Sequence, residues 1–114
     1  MCYSFTVPAA DTNVVLIVQG MKMHLNKEFL AKHSPVFAAM FFGDFAEKGK
    51  NEIEINDEFY REFVDLLKVI HTDWVPIRDE TVSHILKLAD QFQVKSAINQ
   101  AEYFLRTKKI HGGT

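Results

Sequence analysis

Cysteine is almost missing from this chain. Cys2 is the single one in 114 residues, which excludes an internal disulfide and any zinc site built on cysteine pairs. The five histidines never stand at an HxxxH spacing, so no metal or metal cofactor is expected, and a reducing compartment fits such cysteine usage. Excess positive charge is lacking too. Thirteen lysines and arginines against fifteen acids leave a net charge of −2, without the electrostatic footprint of a nucleic-acid binder. The one basic cluster, Arg106 to Lys109, closes the last helical pattern and complements its dipole. No apolar run approaches the ~18 residues of a membrane helix, and VVLIV (Val14 to Val18) has only the length of a strand. The start, MCYSFTVPAADTN, lacks the basic residues and long apolar stretch of a signal peptide. These absences point to a soluble domain of the cytoplasm or nucleus, either a whole small protein or an excised domain.

What is present is an ordinary globular composition with one excess. Hydrophobic residues make up 47% and charged residues 25%, but ten phenylalanines raise the aromatic fraction to 12%. The surplus belongs either to an aromatic-heavy core or to interfaces, where aromatics are enriched. The β-branched run VVLIV predicts a strand buried on both faces. Gln19-Gly20 supplies a turn, after which MKMHL alternates, with Met21, Met23 and Leu25 inward and Lys22 and His24 towards solvent. Helical spacing begins at Lys27. Ser34-Pro35 interrupts it with a good N-cap and a proline tolerated at the first helical position. The second helix presents Val36, Phe37, Met40 and Phe41, and Gly43 suits its C′ position. EIEI (Glu52 to Ile55) is a third strand that must return to the hairpin. Phe59, Phe63, Leu66, Leu67 and Ile70 then mark a strongly amphipathic helix, broken at Trp74-Val75-Pro76. Val82, Ile85, Leu86, Ala89 and Phe92, capped by Asp79 or Thr81, mark the next, and Val94, Ile98, Ala101 and Leu105 the last. The order is β-β-α-α-β-α-α-α, an α+β class, with a frayed tail from Ile110 onwards.

One stretch resists a structural explanation. FFGDFAEKGK places Phe45 in a polar segment beyond the helix stop at Gly43, two residues before Glu47. No Gly-rich phosphate loop or activated nucleophile accompanies it.

The hairpin VVLIVQGMKMHLNK, the segment FLAKHSPVFAAMF, the strand NEIEIND and LKLADQFQV with its following helix together resemble the BTB/POZ domain. SPVFAAMF followed after ten residues by EIEIND is the most specific part. The similarity is strongest to the BTB domains of MATH–BTB ubiquitin-ligase adaptors and covers about residues 11 to 106. It implies a small three-stranded sheet flanked by five to six helices. The domain would span residues 11–108, with an extension at 1–10 and a disordered tail at 109–114. It implies no enzyme and no cofactor, but a homodimer that binds the N-terminal region of cullin-3 while a domain outside this chain holds the substrate. Phe45-Ala46-Glu47 occupies the place of the hydrophobic-x-Glu motif of cullin-3-binding members. The implied cullin surface is Phe42, Asp44, Phe45, Glu47, His71, Thr72 and Trp74. The implied dimer surface is Tyr3, Phe5, Val7, Phe29, Lys32 and His33, the N-terminal part of it having no evident core of its own. Phe45 folded back over the core is the alternative.

The chain departs from the family pattern at three positions. Many relatives carry aspartate near Asn13 and histidine near Asn26, beside the dimer interface; both are asparagine here, which keeps hydrogen bonding and removes charge. His71 stands where many cullin-3-binding members have tyrosine, and an imidazole covers less apolar area than a phenol. Other readings remain open. One is a BTB domain that only self-associates or recruits co-repressors, and another is a monomeric cullin linker of the elongin C type. An enzyme using Asp57, Glu58 and Glu62 near His71 is the last; a solvated helical face explains those acids better.

Overall fold

The computed structural model describes residues 5–43, 51–56, 58–71 and 77–112. The chain divides into two compact units, Met1–Tyr60 and Arg61–Thr114. In the first unit, β1 (Val14–Val18) and β2 (Met21–Leu25) form an antiparallel hairpin in which Val18 pairs with Met21. Gln19 and Gly20 both have positive φ, 52° and 77°, as a two-residue turn matched to the strand twist requires. The Gln19 side chain also accepts the Tyr60 backbone N–H at 2.8 Å. β3 (Glu52–Ile55) returns to the hairpin and pairs in parallel with β1, giving the order β2-β1-β3.

The register separates the two faces of the sheet. Val14, Leu16, Val18, Met23, Leu25 and Ile55 are buried on one side. Val15 and Ile17 lie on the other and are only half-buried, so the expectation of a strand buried on both faces holds for one face. Their neighbours in register are Lys22, His24, Glu52 and Glu54, polar side chains that keep this side wet.

Two short helices follow the hairpin, α1 (Lys27–His33) and α2 (Pro35–Phe42), broken where Ser34-Pro35 predicts. Ser34 is fully buried, and its hydroxyl accepts the Phe37 N–H at 3.0 Å, satisfying one of the donors a helix start leaves open. Phe37 and Phe41, both buried, stack with centroids 5.8 Å apart. Gly43 ends α2, but as the C-cap and with φ −71°, not in the left-handed C′ position. The need for glycine is close approach, because a Cβ there would overlap the Ala39 carbonyl.

The second unit holds nearly all of α3 (Tyr60–His71), with α4 (Asp79–Gln91) and α5 (Lys95–Gly112), making five helices among the described residues. Phe63, Leu66, Leu67, Val69 and Ile70 are the buried stripe of α3. Phe59 is not part of it; it precedes the helix and is 60% exposed. On α4 the period continues through Leu88, which is buried, whereas Leu86 is half-buried. The N-cap is Arg78, and neither Asp79 nor Thr81 holds that position; Thr81 accepts the Arg78 N–H at 3.0 Å from inside the first turn.

α4 closes with Gln93 N–H on the Asp90 carbonyl and Val94 N–H on that of Ala89, a Schellman arrangement. Gln93 sits at φ 55°, where glycine is usual. α5 packs against α4, and Val94, Ala97 and Ala101 are buried while Ile98 is half-buried and Leu105 exposed. The helix runs to Gly112 and so covers most of the stretch read as a tail.

Phe63 is fully buried and packs edge-on against Phe92, with centroids 5.5 Å apart. Phe63→Ala should therefore cost about 3–5 kcal/mol, and Phe59→Ala within about 0.5 kcal/mol of nothing. Equilibrium denaturation of the two variants measures the contrast, and equal losses would refute this assignment of the core.

Candidate functional site

The surfaces of interest sit at the ends of short helices, and the first is the start of α1. Asn26 is its N-cap, accepting the Phe29 N–H through Oδ1 at 2.7 Å and donating through Nδ2 to the Asp11 carbonyl at 2.5 Å. Asn13, just before β1, also uses both ends of its amide. Its Oδ1 accepts the Lys27 N–H at 2.8 Å and its Nδ2 donates to Glu28 Oε1 at 2.9 Å. That bond, with the Glu28 backbone N–H behind it, holds the Glu28 carboxyl below its ordinary value. The two asparagines thus cap the helix and tie it to the chain entering β1. The signal was present in the sequence, an asparagine directly before the helical spacing at Lys27, although the linkage through Asn13 had none.

Further along α1, Phe29 and His33 pack ring on ring at 4.7 Å, with exposed Lys32 on the same side. The helix spacing brings these three implied dimer residues together, while Leu30 is buried. The N-terminal part of that surface is corrected in one respect. Phe5 does have a core of its own, being only 7% exposed, and its carbonyl accepts the His24 N–H at 2.6 Å. Burial within its own chain removes it from a surface offered to a second copy. Val7 is exposed, and Tyr3 lies outside the described residues.

Phe42 is the last residue of α2 and is 56% exposed. It meets Phe41 edge-on at 6.3 Å, and Phe41 is braced by Phe37. An aromatic held out on a buried aromatic pair is a preorganised anchor. His71 ends α3 in the other unit, half-buried, with Nδ1 2.7 Å from the Leu67 carbonyl. A carbonyl only accepts, so Nδ1 carries the proton. Asp44, Phe45, Glu47, Thr72 and Trp74 lie outside the described residues.

Glu58 and Glu62 do not share one wet helical face. Glu58 precedes α3 and is buried, and it is not without a partner. Asp57 lies outside the described residues, and Glu62 is half-buried in the first turn of α3. A pair that the spacing does not reveal joins α3 to α4, His84 Nε2 to Asp65 Oδ2 at 2.8 Å. Among the described residues no group of three or more ligating side chains is gathered to hold a metal, and no helix is long and apolar enough to cross a membrane.

Residues 7–109 match the family described as the BTB/POZ domain, and the chain belongs to it. Similar curated proteins include BTB and MATH domain-containing proteins 36 and 38 of Caenorhabditis elegans. The first is 45% identical over 94 residues, covering 82% of this chain and 29% of that protein. The second is 37% identical over 100 residues, covering 85% and 26%. The chain thus spans less than a third of either relative. Among solved structures, the BTB domain of zebrafish PATZ1 superposes with a TM-score of 0.70 at 21% identity, covering 84% of this chain and 76% of that one. The molecule is an α+β BTB domain of a three-stranded mixed sheet and five described helices, a non-catalytic protein-interaction module related to MATH–BTB proteins.

An aspartate would not serve at position 13 with Glu28 opposite. A carboxylate accepts from Lys27 but cannot donate to Glu28, and leaves two like charges facing. Glu28 now has a lowered folded value. Its contribution is therefore present above the ordinary glutamate range of about 4.3 and lost as pH falls through the lowered value. Asn13→Asp should raise the Glu28 value, with a stability loss at neutral pH that shrinks on acidification. NMR titration of the Glu28 carboxyl and unfolding at pH 7 and pH 4 test this; an unmoved Glu28 would overturn it.

Proposed function

We propose that this BTB domain homodimerises and binds the N-terminal region of cullin-3. It would serve as part of a ubiquitin-ligase substrate adaptor in the cytoplasm or nucleus, with the substrate held by a domain outside this chain. The observation that carries the reading is Phe42. It is exposed on the last turn of α2, braced from behind by Phe41 and Phe37, and followed directly by the segment containing Phe45-Ala46-Glu47. Two aromatics and a carboxylate at a helix exit suit insertion between partner helices, with the acid setting register. Kinship with proteins whose names join BTB to MATH supports a substrate module elsewhere. Phe42, Asp44, Phe45, Glu47, His71, Thr72 and Trp74 are the proposed cullin contacts. Tyr3, Val7, Phe29, Lys32 and His33 are the proposed dimer contacts.

A stable pair of this kind needs about 1,600 Å² of total buried surface, and α1 with the N-terminal segment must supply it. Sedimentation equilibrium at tens of micromolar should give a dimer that Phe29→Ala weakens; a monomer throughout would remove this half of the proposal. For the cullin contact, truncating a buried aromatic anchor costs about 2–4 kcal/mol and a rim contact under about 1 kcal/mol. Phe45→Ala should therefore weaken binding of a cullin-3 N-terminal fragment on the order of 30-fold, and Thr72→Ala far less. Calorimetric titration separates the outcomes. No wild-type binding leaves a BTB domain that only self-associates, and binding undiminished by Phe45→Ala puts the contact elsewhere.

A further inference from the structure

The wet face of the sheet carries a pattern that neither proposed surface uses. Its two rows run across the three strands in register. One row is Lys22, Ile17, Glu54 and the next is His24, Val15, Glu52. Each row therefore reads base, aliphatic, acid, with the bases all on β2 and the acids all on β3. Val15 and Ile17 between them are half-buried, whereas Lys22, Glu52 and Glu54 are exposed. Lys22 reaches diagonally to Glu52 at 3.3 Å, both side chains more than half exposed. Glu54 makes no ion pair among the described residues.

We propose that this face docks a second copy of the chain face to face, through a half-turn about an axis parallel to β1. Such a rotation exchanges left and right across the sheet while keeping each row opposite itself. Lys22 then lies over Glu54 of the other copy, His24 over its Glu52, and the Ile17 and Val15 ribs meet at the centre. The contact is isologous, so each pairing occurs twice. Complementary charge sets its register, and the aliphatic rib supplies the dry centre.

Strands of four and five residues at about 3.3 Å per residue, spaced about 4.8 Å apart, make a face on the order of 200 Å² per copy. That is far below the ~1,200 Å² of a stable specific interface, so the contact is weak in isolation. It also differs from the α1 surface proposed for the dimer. Where both contacts form, two distinct half-turns alternate and link dimers into chains. An open depression of about 360 Å³ between Pro8, Thr12, Val15, His24 and Asn51 indents one end of the face, which leaves the Lys22–Ile17–Glu54 row as the flatter part.

The test is a charge exchange read by sedimentation velocity, from about 10 micromolar to about 1 millimolar. Wild type should show a weak association step that 0.5 M salt suppresses, since exposed charges are screened there. Lys22→Glu and Glu54→Lys should each weaken that step about tenfold, because each sets like charges opposite one another in its own self-contact. An equimolar mixture of the two variants should restore it, because both pairings of the altered row are then complementary again. Both changes fall on exposed side chains, and unchanged denaturation midpoints would exclude misfolding as the cause. A wild type with no such step overturns the proposal, as does a step indifferent to both variants or a mixture that stays apart. None of these outcomes touches the α1 dimer or the cullin contact, whose residues are unaltered.

Discussion

β1 is the strand on which the first unit is organised, because it stands between β2 and β3 and uses both of its edges. It is antiparallel to one neighbour and parallel to the other. Its register therefore decides which side chains of all three strands become core. A slip of β2 and β3 by one residue against β1 would take Met23, Leu25 and Ile55 out of the core and turn Lys22, His24, Glu52 and Glu54 inward. The cost of burying those charges makes such a slip prohibitive. The polar rows of the outer face thus enforce register as well as offering a surface.

How much of this was legible depends on whether a signal is local. The hairpin was readable because Gln19-Gly20 and the alternation in MKMHL agree, and the break at Ser34-Pro35 because cap and proline coincide. The amphipathic stripe of α3 was readable from Phe63 onwards. It misled at Phe59, which continues the spacing but stands one residue before the helix begins, and periodicity carries no information about where a helix starts. Gly43 was placed correctly as a stop but for the wrong reason, since its close approach to the Ala39 carbonyl one turn back depends on backbone angles that residue spacing does not show. Phe5 looked unpartnered because its carbonyl pairs with His24, nineteen residues on. Leu86 and Leu88 exchanged places because a helix face is wide enough to admit both by spacing alone. Of the candidate site, the resemblance named the positions, and only some of them fall among the described residues.

The departures from the family pattern are better understood as matched sets than as losses. Asn13 was read as an aspartate without its charge. Its neighbour across the bond is Glu28, and an amide is the side chain that accepts from Lys27 and donates to Glu28 at once. Asn26 does the corresponding work on the other strand end, capping α1 while holding the Asp11 carbonyl. The two amides satisfy the Lys27 and Phe29 backbone donors at the start of α1 without adding charge beside Glu28. The same logic applies to His71. Its Nδ1–H donates to the Leu67 carbonyl, so the ring is orientated by its own helix before any partner arrives.

An interaction module has no reaction to perform, so its chemistry is the arrangement of side chains it holds out. Among the described residues, several exposed groups are backed by something buried or capped. Phe42 rests on Phe41 and Phe37, and Phe29 on a helix start locked by two asparagines. Lys22, Glu52 and Glu54 stand on strands whose opposite faces are core. Ordering an aromatic or a long charged side chain at an interface costs roughly 0.5–1.5 kcal/mol each. Bracing it in the free protein lowers that cost in advance. It also lets an outward residue be substituted without disturbing the buried groups that position it.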